Sequence, residues 1–210
     1  MNINHVRHIR WFSDIAYLMS LINEINPRKN RFRTFCECGV GPMDISSAPY
    51  VYQKKLVDKL ILVEPNPKMA EAVPIEMPEK YGMPKVELIQ KAIGFKGHCE
   101  GNFKLRMNGG SSYIDGTWSP TPTNGDTVDV ELVPFSQIDD GKIDAMVLDC
   151  EGMEWAVLDD MVSRPHLLSI EVWKSHPHAE QIFNWLSLNR YIVRFSTGPE
   201  GETFICERLD

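Results

Sequence analysis

A doubly wound α/β domain on a mostly parallel sheet is the fold this sequence predicts. Apolar runs of strand length at 33–38, 60–63, 85–90 and 143–148 alternate with stretches of helical spacing. The first two runs close on acid-bearing turns, Glu37-Cys-Gly-Val-Gly-Pro42 and Glu64-Pro-Asn-Pro67. The chain ends on two alternating runs, 191–196 and 203–207, joined by Thr197-Gly-Pro-Glu-Gly-Glu202. So short a link makes that last pair antiparallel.

Residues 4–25 carry Ile9, Phe12, Ile15, Ala16, Met19 and Ile22 at helical spacing. They read as an amphipathic helix packed outside the sheet, capping a cofactor or contacting a second copy of the chain, and residues 1–30 as a helical extension. The basic cluster at 28–33 solvates the link that follows. A helix over 47–58 takes Ser47 as N-cap with Pro49 in its first turn, and the next takes Asn66 as N-cap with Pro67 at its first position. Between Gly94 and Phe135 the period changes. Residues 102–107 and 127–133 alternate around Asn108-Gly-Gly-Ser-Ser112, so 94–135 reads as an inserted strand pair whose loop carries Tyr113 and Trp118. Residues 143–148 are almost wholly apolar, as a central parallel strand buried on both faces should be. A helix at 151–162, a strand at 167–172 and a helix at 177–189 complete the alternation. Residues 1–210 form a single domain.

Bulk properties narrow the function. With 43% apolar and 24% charged residues the chain buries a substantial core, which excludes disorder. A net charge of −7 opposes a broad nucleic-acid footprint. Five cysteines without a C-x-x-C pair suit reduced thiols in a cytoplasmic protein. The first residues hold no signal-peptide core, and the apolar stretch at 15–22 is too short to span a bilayer.

In a doubly wound sheet the ends of the first two strands face one crevice, where an adenosine-bearing ligand sits. A carboxylate such as Glu64 accepts from both hydroxyls of a ribose at once. Gly39 and Gly41 fit the dinucleotide pattern G-x-G-x-x-G, but its third glycine is Asp44, and Pro42 removes a backbone N–H. A pyrophosphate needs free N–H groups and positive potential. S-adenosylmethionine has no phosphate and carries a sulfonium and an ammonium, to which Glu37 and Asp44 are suited. The turn therefore favours a sulfonium cofactor over NAD; its glycines also serve simply to allow a tight strand-to-helix turn. Asp149-Cys-Glu-Gly-Met-Glu154 follows the central strand, so Asp149 emerges in the same crevice with Glu171, at the next strand end, beside it. Gly152 admits close approach of a ligand or another backbone. Such a carboxylate group binds a cation, positions a hydroxyl or acts as a base, its pKa values raised by mutual repulsion. Helix capping by Asp149, with Glu151 and Glu154 complementing the helix dipole, is the structural alternative. His176 and His178 flank Pro177, too weak a pattern to indicate a metal, and no resident metal is expected.

Four stretches make the chain resemble the FkbM-type family of S-adenosylmethionine-dependent methyltransferases: Glu37-Cys-Gly-Val-Gly41, Val63-Glu-Pro-Asn-Pro67, Gly110-Ser-Ser112, and residues 143–154 continuing to Leu158. Ile170-Glu171 adds a fifth, and the likeness spans about residues 33–175. The resemblance implies a class I methyltransferase (Rossmann-like) three-layer sandwich, its seven-stranded sheet mostly parallel with an antiparallel C-terminal strand. It also implies O-methylation of a sugar, glycan or natural product. Carried over by position, Glu37, Cys38, Gly39, Val40 and Gly41 line the methionine end, Glu64 binds ribose, and Pro65 and Asn66 hold the turn beside the adenosine. Gln90, Lys91 and Ala92 flank adenine, while Asp149 and Glu151 face the transferred methyl. Asp149, Glu151, Glu171 or His176 takes the proton, and Ser111, Ser112, Tyr113 and Trp173 face the acceptor. Two positions depart from the family pattern: Val147 stands where a lysine is usual, and Met43 or Asp44 where a further glycine is. The partners expected are a small-molecule or glycan acceptor and a second copy of the chain through the N-terminal helix. A non-catalytic binding scaffold and an NAD-dependent oxidoreductase are the competing readings.

Overall fold

The computed structural model describes residues 17, 18, 20, 21, 32–82, 86–197 and 202–209. A seven-stranded sheet is built from β1 (Thr34–Cys38), β2 (Lys59–Val63), β3 (Glu87–Ile89), β9 (Ala145–Leu148), β10 (Leu167–Val172), β11 (Tyr191–Ser196) and β12 (Glu202–Arg208). Its order is β11-β12-β10-β9-β1-β2-β3. The five strands from β3 to β10 run parallel, and β12 lies antiparallel between β10 and β11. This is the class I methyltransferase sheet that the sequence predicts.

Period-two alternation distributes each strand's side chains between two apolar layers. Cys36, Cys38, Ile61, Val63, Met146, Leu148 and Ile170 pack on one face beneath α3 (Glu154–Asp160) and α4 (Ala179–Leu188). Phe35, Leu60, Leu62, Ala145 and Leu167 pack on the other with α1 (Ala48–Gln53) and α2 (Pro67–Tyr81). Leu18 and Leu21 join this second layer, and Tyr17 stacks on Phe195 at 4.6 Å. The rest of the expected N-terminal helix lies outside the described residues.

Several boundaries differ from expectation. The helix at 47–58 stops at Gln53, because Lys55 turns through a left-handed backbone (φ 54°) toward β2. The inserted pair is a three-stranded sheet: β5 (Phe103–Arg106) is flanked antiparallel by β6 (Tyr113–Ile114) and β7 (Thr127–Val130). Two further short strands, β4 (Ala92–Ile93) and β8 (Leu132–Val133), pair parallel beside it. The helix at 151–162 begins only at Glu154, since Glu151 (φ 49°) and Gly152 (φ 109°) are left-handed and cannot continue a helix.

Candidate active site

The chain reverses its winding between β1 and β9, and at such a switch point the strand ends open a crevice. Asp149 donates its N–H to the Cys38 carbonyl at 3.0 Å, and Gly39 donates to the Val63 carbonyl at 3.0 Å. These two turns approach so closely that a Cβ on Gly39 (φ 82°) would lie 1.7 Å from the Asp149 carbonyl oxygen. Only glycine fits there. The cleft above is floored by Gly39, Glu64, Pro65, Asp149, Cys150 and Glu151, and walled by Lys91, Ala92 and Ile93. The insert closes it with Leu105, Gly110, Ser112, Tyr113 and Ile114.

Glu64 is buried and organises the floor. Its carboxylate accepts from the Gly41 N–H at 2.8 Å and the Asn66 N–H at 2.7 Å, tying the glycine turn to the turn after β2. Burial raises its pKa above the ordinary carboxylate value despite those bonds. Each carboxylate oxygen has two acceptor sites, so the group retains capacity for a ligand's hydroxyls. Asn66 accepts from Lys68 N–H at 3.0 Å as N-cap of α2.

Glu37 is placed differently from the expectation that it lines the methionine end. Alternation along β1 sends it to the α1 face with Phe35, and it does not line the cleft. Its carboxylate accepts from the Ser46 hydroxyl (2.7 Å) and from the N–H groups of Ser47 (2.8 Å) and Ala48 (3.0 Å). Burial pushes its pKa up to about 7 against the pull of those donors. Cys38, Val40 and Gly41 likewise lie behind the cleft surface, with Cys36 and Cys38 thiols in contact at 3.8 Å. Val147 is the register partner of Glu37.

The acids expected to gather do so. One carboxylate oxygen from each of Asp149, Glu151 and Glu171 lies within 4.8 Å of the others, a spacing that suits a shared proton or a cation. Asp149 Oδ1 is sealed from solvent without a hydrogen-bond partner, and burial, with Glu171, Glu151 and Glu154 nearby, holds its pKa well above the carboxylate range. Asp149 does not cap α3. Met153 is the N-cap and lends no side-chain bond; Glu154, in the first turn, braces the loop before the helix, accepting from Cys150 N–H at 2.8 Å and Gly152 N–H at 3.0 Å. Gly152 sits under the insert: a Cβ there would meet the Trp118 carbonyl oxygen at 2.4 Å. The Cα without side chain thus admits another backbone.

His176 is buried away from the cleft. Its Nδ1 accepts from His178 N–H at 3.0 Å, its Nε2 faces Glu154 at 3.2 Å, and Trp118 packs against its ring at 5.0 Å. These contacts tie the start of α4 to Glu154 and to the insert. Trp173, Ser111 and the exposed Gln90 also stay off the cleft wall, whereas Lys91, Ala92, Ser112 and Tyr113 reach it. Tyr113 uses its hydroxyl within the insert, accepting from Thr123 N–H at 3.0 Å. Sequence reasoning did not single out Ile93, Leu105, Ile114, Cys150 or Met153, which supply the apolar lining. Among the described residues no helix is long and apolar enough to cross a membrane.

The donor set fits S-adenosylmethionine. The cleft offers a ribose-type acid at Glu64 and unpaired carboxylate density at Asp149 for positive charge, and its one lysine, Lys91, is paired with Glu131 at 2.6 Å.

Comparison with known proteins gives the family and the fold. The profile of the methyltransferase FkbM domain matches residues 24–193. No curated protein matches the sequence. The methyltransferase domain of bacterial CtHen1 is 8% identical, with 93% of this chain and 97% of that one covered at a TM-score of 0.51. A putative RNA methyltransferase from Pyrococcus horikoshii is 9% identical, with 94% and 81% covered at 0.51. TrmK of M. capricolum, solved with its cofactor product S-adenosyl-homocysteine, is 11% identical, with 89% and 66% covered at 0.47. At these identities the first two likenesses are ones of fold.

Proposed function

The chain belongs to the FkbM methyltransferase family, and on that premise we propose that it methylates a hydroxyl of a sugar, glycan or small natural product. Its cofactor is S-adenosylmethionine. The observation that carries the reading is Asp149: a carboxylate at the switch-point cleft, one oxygen unpaired, beside two more carboxylates.

Bound in the cleft, the cofactor would supply an electrophilic methyl carried on a positively charged sulfonium. The chain's own residues do the remainder. Glu64 accepts from the ribose hydroxyls, and Ile93, Leu105 and Ile114 exclude water from the cleft. Asp149, with Glu151 and Glu171, accepts the proton of the attacking hydroxyl, and its raised pKa strengthens it as a base. Holding the acceptor oxygen in line contributes the larger share, because alignment replaces a bimolecular encounter. The same acids repel phosphate and carboxylate, which favours neutral polyols over nucleic-acid acceptors.

Labelled S-adenosylmethionine offered with a panel of glycosides, polyols and phenolic natural products tests the reading, with the product linkage assigned by NMR. Methyl ethers whose formation collapses in Asp149→Asn support it. Products methylated at nitrogen or carbon, or an Asp149→Asn enzyme with parental turnover, refute it. Tight cofactor binding with no transfer across the panel favours the scaffold reading.

A further inference from the structure

We propose that Asn66 is a positioning residue, latching the insert turn 108–112 onto the cofactor floor so that turn closure and cofactor binding are one coupled equilibrium. The inference rests on the functional reading only in taking S-adenosylmethionine as the occupant of the cleft.

Asn66 is 1% exposed, and every polar atom of its side chain is engaged. Its carboxamide oxygen caps α2 through Lys68 N–H at 3.0 Å. Its amide donates to the Gly109 carbonyl at 3.2 Å and to the Ser112 hydroxyl at 3.1 Å. Ser112 is the hub of the turn it reaches: its hydroxyl donates to the Gly109 carbonyl at 2.8 Å and accepts from Asn108 N–H at 3.1 Å. The backbone N–H of Asn66 is meanwhile held at 2.7 Å by Glu64, whose other oxygen holds Gly41. One residue therefore joins the ribose-facing acid, through its backbone, to a helix start and the insert, through its side chain.

Elsewhere the turn is held from within the insert, where the Asn108 amide donates to the Thr121 carbonyl at 3.2 Å. Gly109 and Gly110 are exposed, and Gly110 lies against Pro42, where a Cβ would lie 3.2 Å from Cδ. Yet Gly110 and Ser112 line the cleft. A ligand that engages Glu64 stiffens the 64–66 turn, and Asn66 passes that order to the cleft wall. By reciprocity, a loosened turn weakens the ligand by the factor through which the ligand tightens the turn. The acceptor then meets a finished wall only after the cofactor is in place.

Asn66→Asp tests this cleanly, because a carboxylate keeps the oxygen that caps α2 while losing both donors to the insert. Amide hydrogen exchange is followed at Asn108 and Ser111, whose N–H groups close the turn onto Ser112 Oγ and the Asn108 carbonyl. S-adenosylhomocysteine is the probe. In the parent, saturating ligand slows exchange at these two amides. In Asn66→Asp their exchange without ligand rises about tenfold, as expected for two lost hydrogen bonds of ordinary net strength. The ligand's slowing shrinks below about twofold, and its Kd weakens by a matching factor. Ser112→Ala, which leaves Glu64 and the α2 cap untouched, reproduces the pattern and decides the matter if Asn66→Asp fails to fold. Parental ligand-dependent protection in both variants overturns the proposal, as does a rise spread evenly over β1 and β9 amides. If the parent binds no S-adenosylhomocysteine, the cofactor assignment falls, while the ligand-free exchange still judges the latch.

Discussion

Gly39→Ala tests the cleft most severely, because the contact at that position is between two backbones. The added Cβ would sit 1.7 Å from the Asp149 carbonyl oxygen, and carbon atoms essentially never approach closer than 3.0 Å. The β1 and β9 turns must therefore separate by more than about 1 Å, a displacement that costs on the order of a hundredfold in turnover when catalytic groups are set by it. The left-handed backbone (φ 82°) adds about 1 kcal/mol of strain. Strain alone lowers Tm by about 2–4 °C in a chain of this size. Calorimetric unfolding gives the stability, titration with S-adenosylhomocysteine the affinity, and single-turnover methyl transfer the rate. The expected pattern is a modest Tm loss with a disproportionate loss of binding and rate. An alanine enzyme that binds and turns over within about twofold of the parent refutes the switch-point cleft as the site.

Other outcomes follow from the same geometry. Asp149→Asn lowers kcat by about 10²-fold or more while changing S-adenosylhomocysteine affinity far less, measured by steady-state kinetics and calorimetry. Glu64→Gln weakens cofactor affinity by about 10- to 100-fold, the worth of a hydrogen bond to a charged group, and an unchanged Kd would remove Glu64 from the ribose site. Parallel titrations with S-adenosylmethionine and NAD show binding of the first alone. Glu37 makes the pH dependence specific. Its folded pKa near 7 lies above the unfolded 4.5, so between those values the folded state holds the extra proton and stability falls as pH rises, levelling off above about 7. The full step is on the order of 3 kcal/mol, and urea unfolding of Glu37→Gln shows a flatter profile across that window.

Much of the scaffold was legible because its signals are local. Strand 167–172 and the closing hairpin were readable from apolar run length, alternation and turn residues, and Asn66 with Pro67 marked the start of α2. Strands of two residues such as β4, β6 and β8 carry no period, so the insert's third strand was invisible. The insert's apolar contribution to the cleft, Leu105 on β5 and Ile114 on β6, comes from positions with no chemistry of their own. The late start of α3 depends on the left-handed backbone at Glu151, which a non-glycine residue does not advertise. The direction of Glu37 was readable in principle. Phe35 and Glu37 share one face of β1 and Cys36 and Cys38 the other, so alternation pointed this acid at α1.

That buried acid also accounts for a chemistry the fold does not perform. In a dinucleotide enzyme the amides at the start of the first helix cradle a diphosphate. Here the carboxylate of Glu37 already occupies the Ser47 and Ala48 N–H groups, an internal tenant in the seat a nucleotide's phosphates would claim. Remodelling this scaffold toward hydride transfer must begin by evicting Glu37, before any new contact to a nicotinamide is drawn.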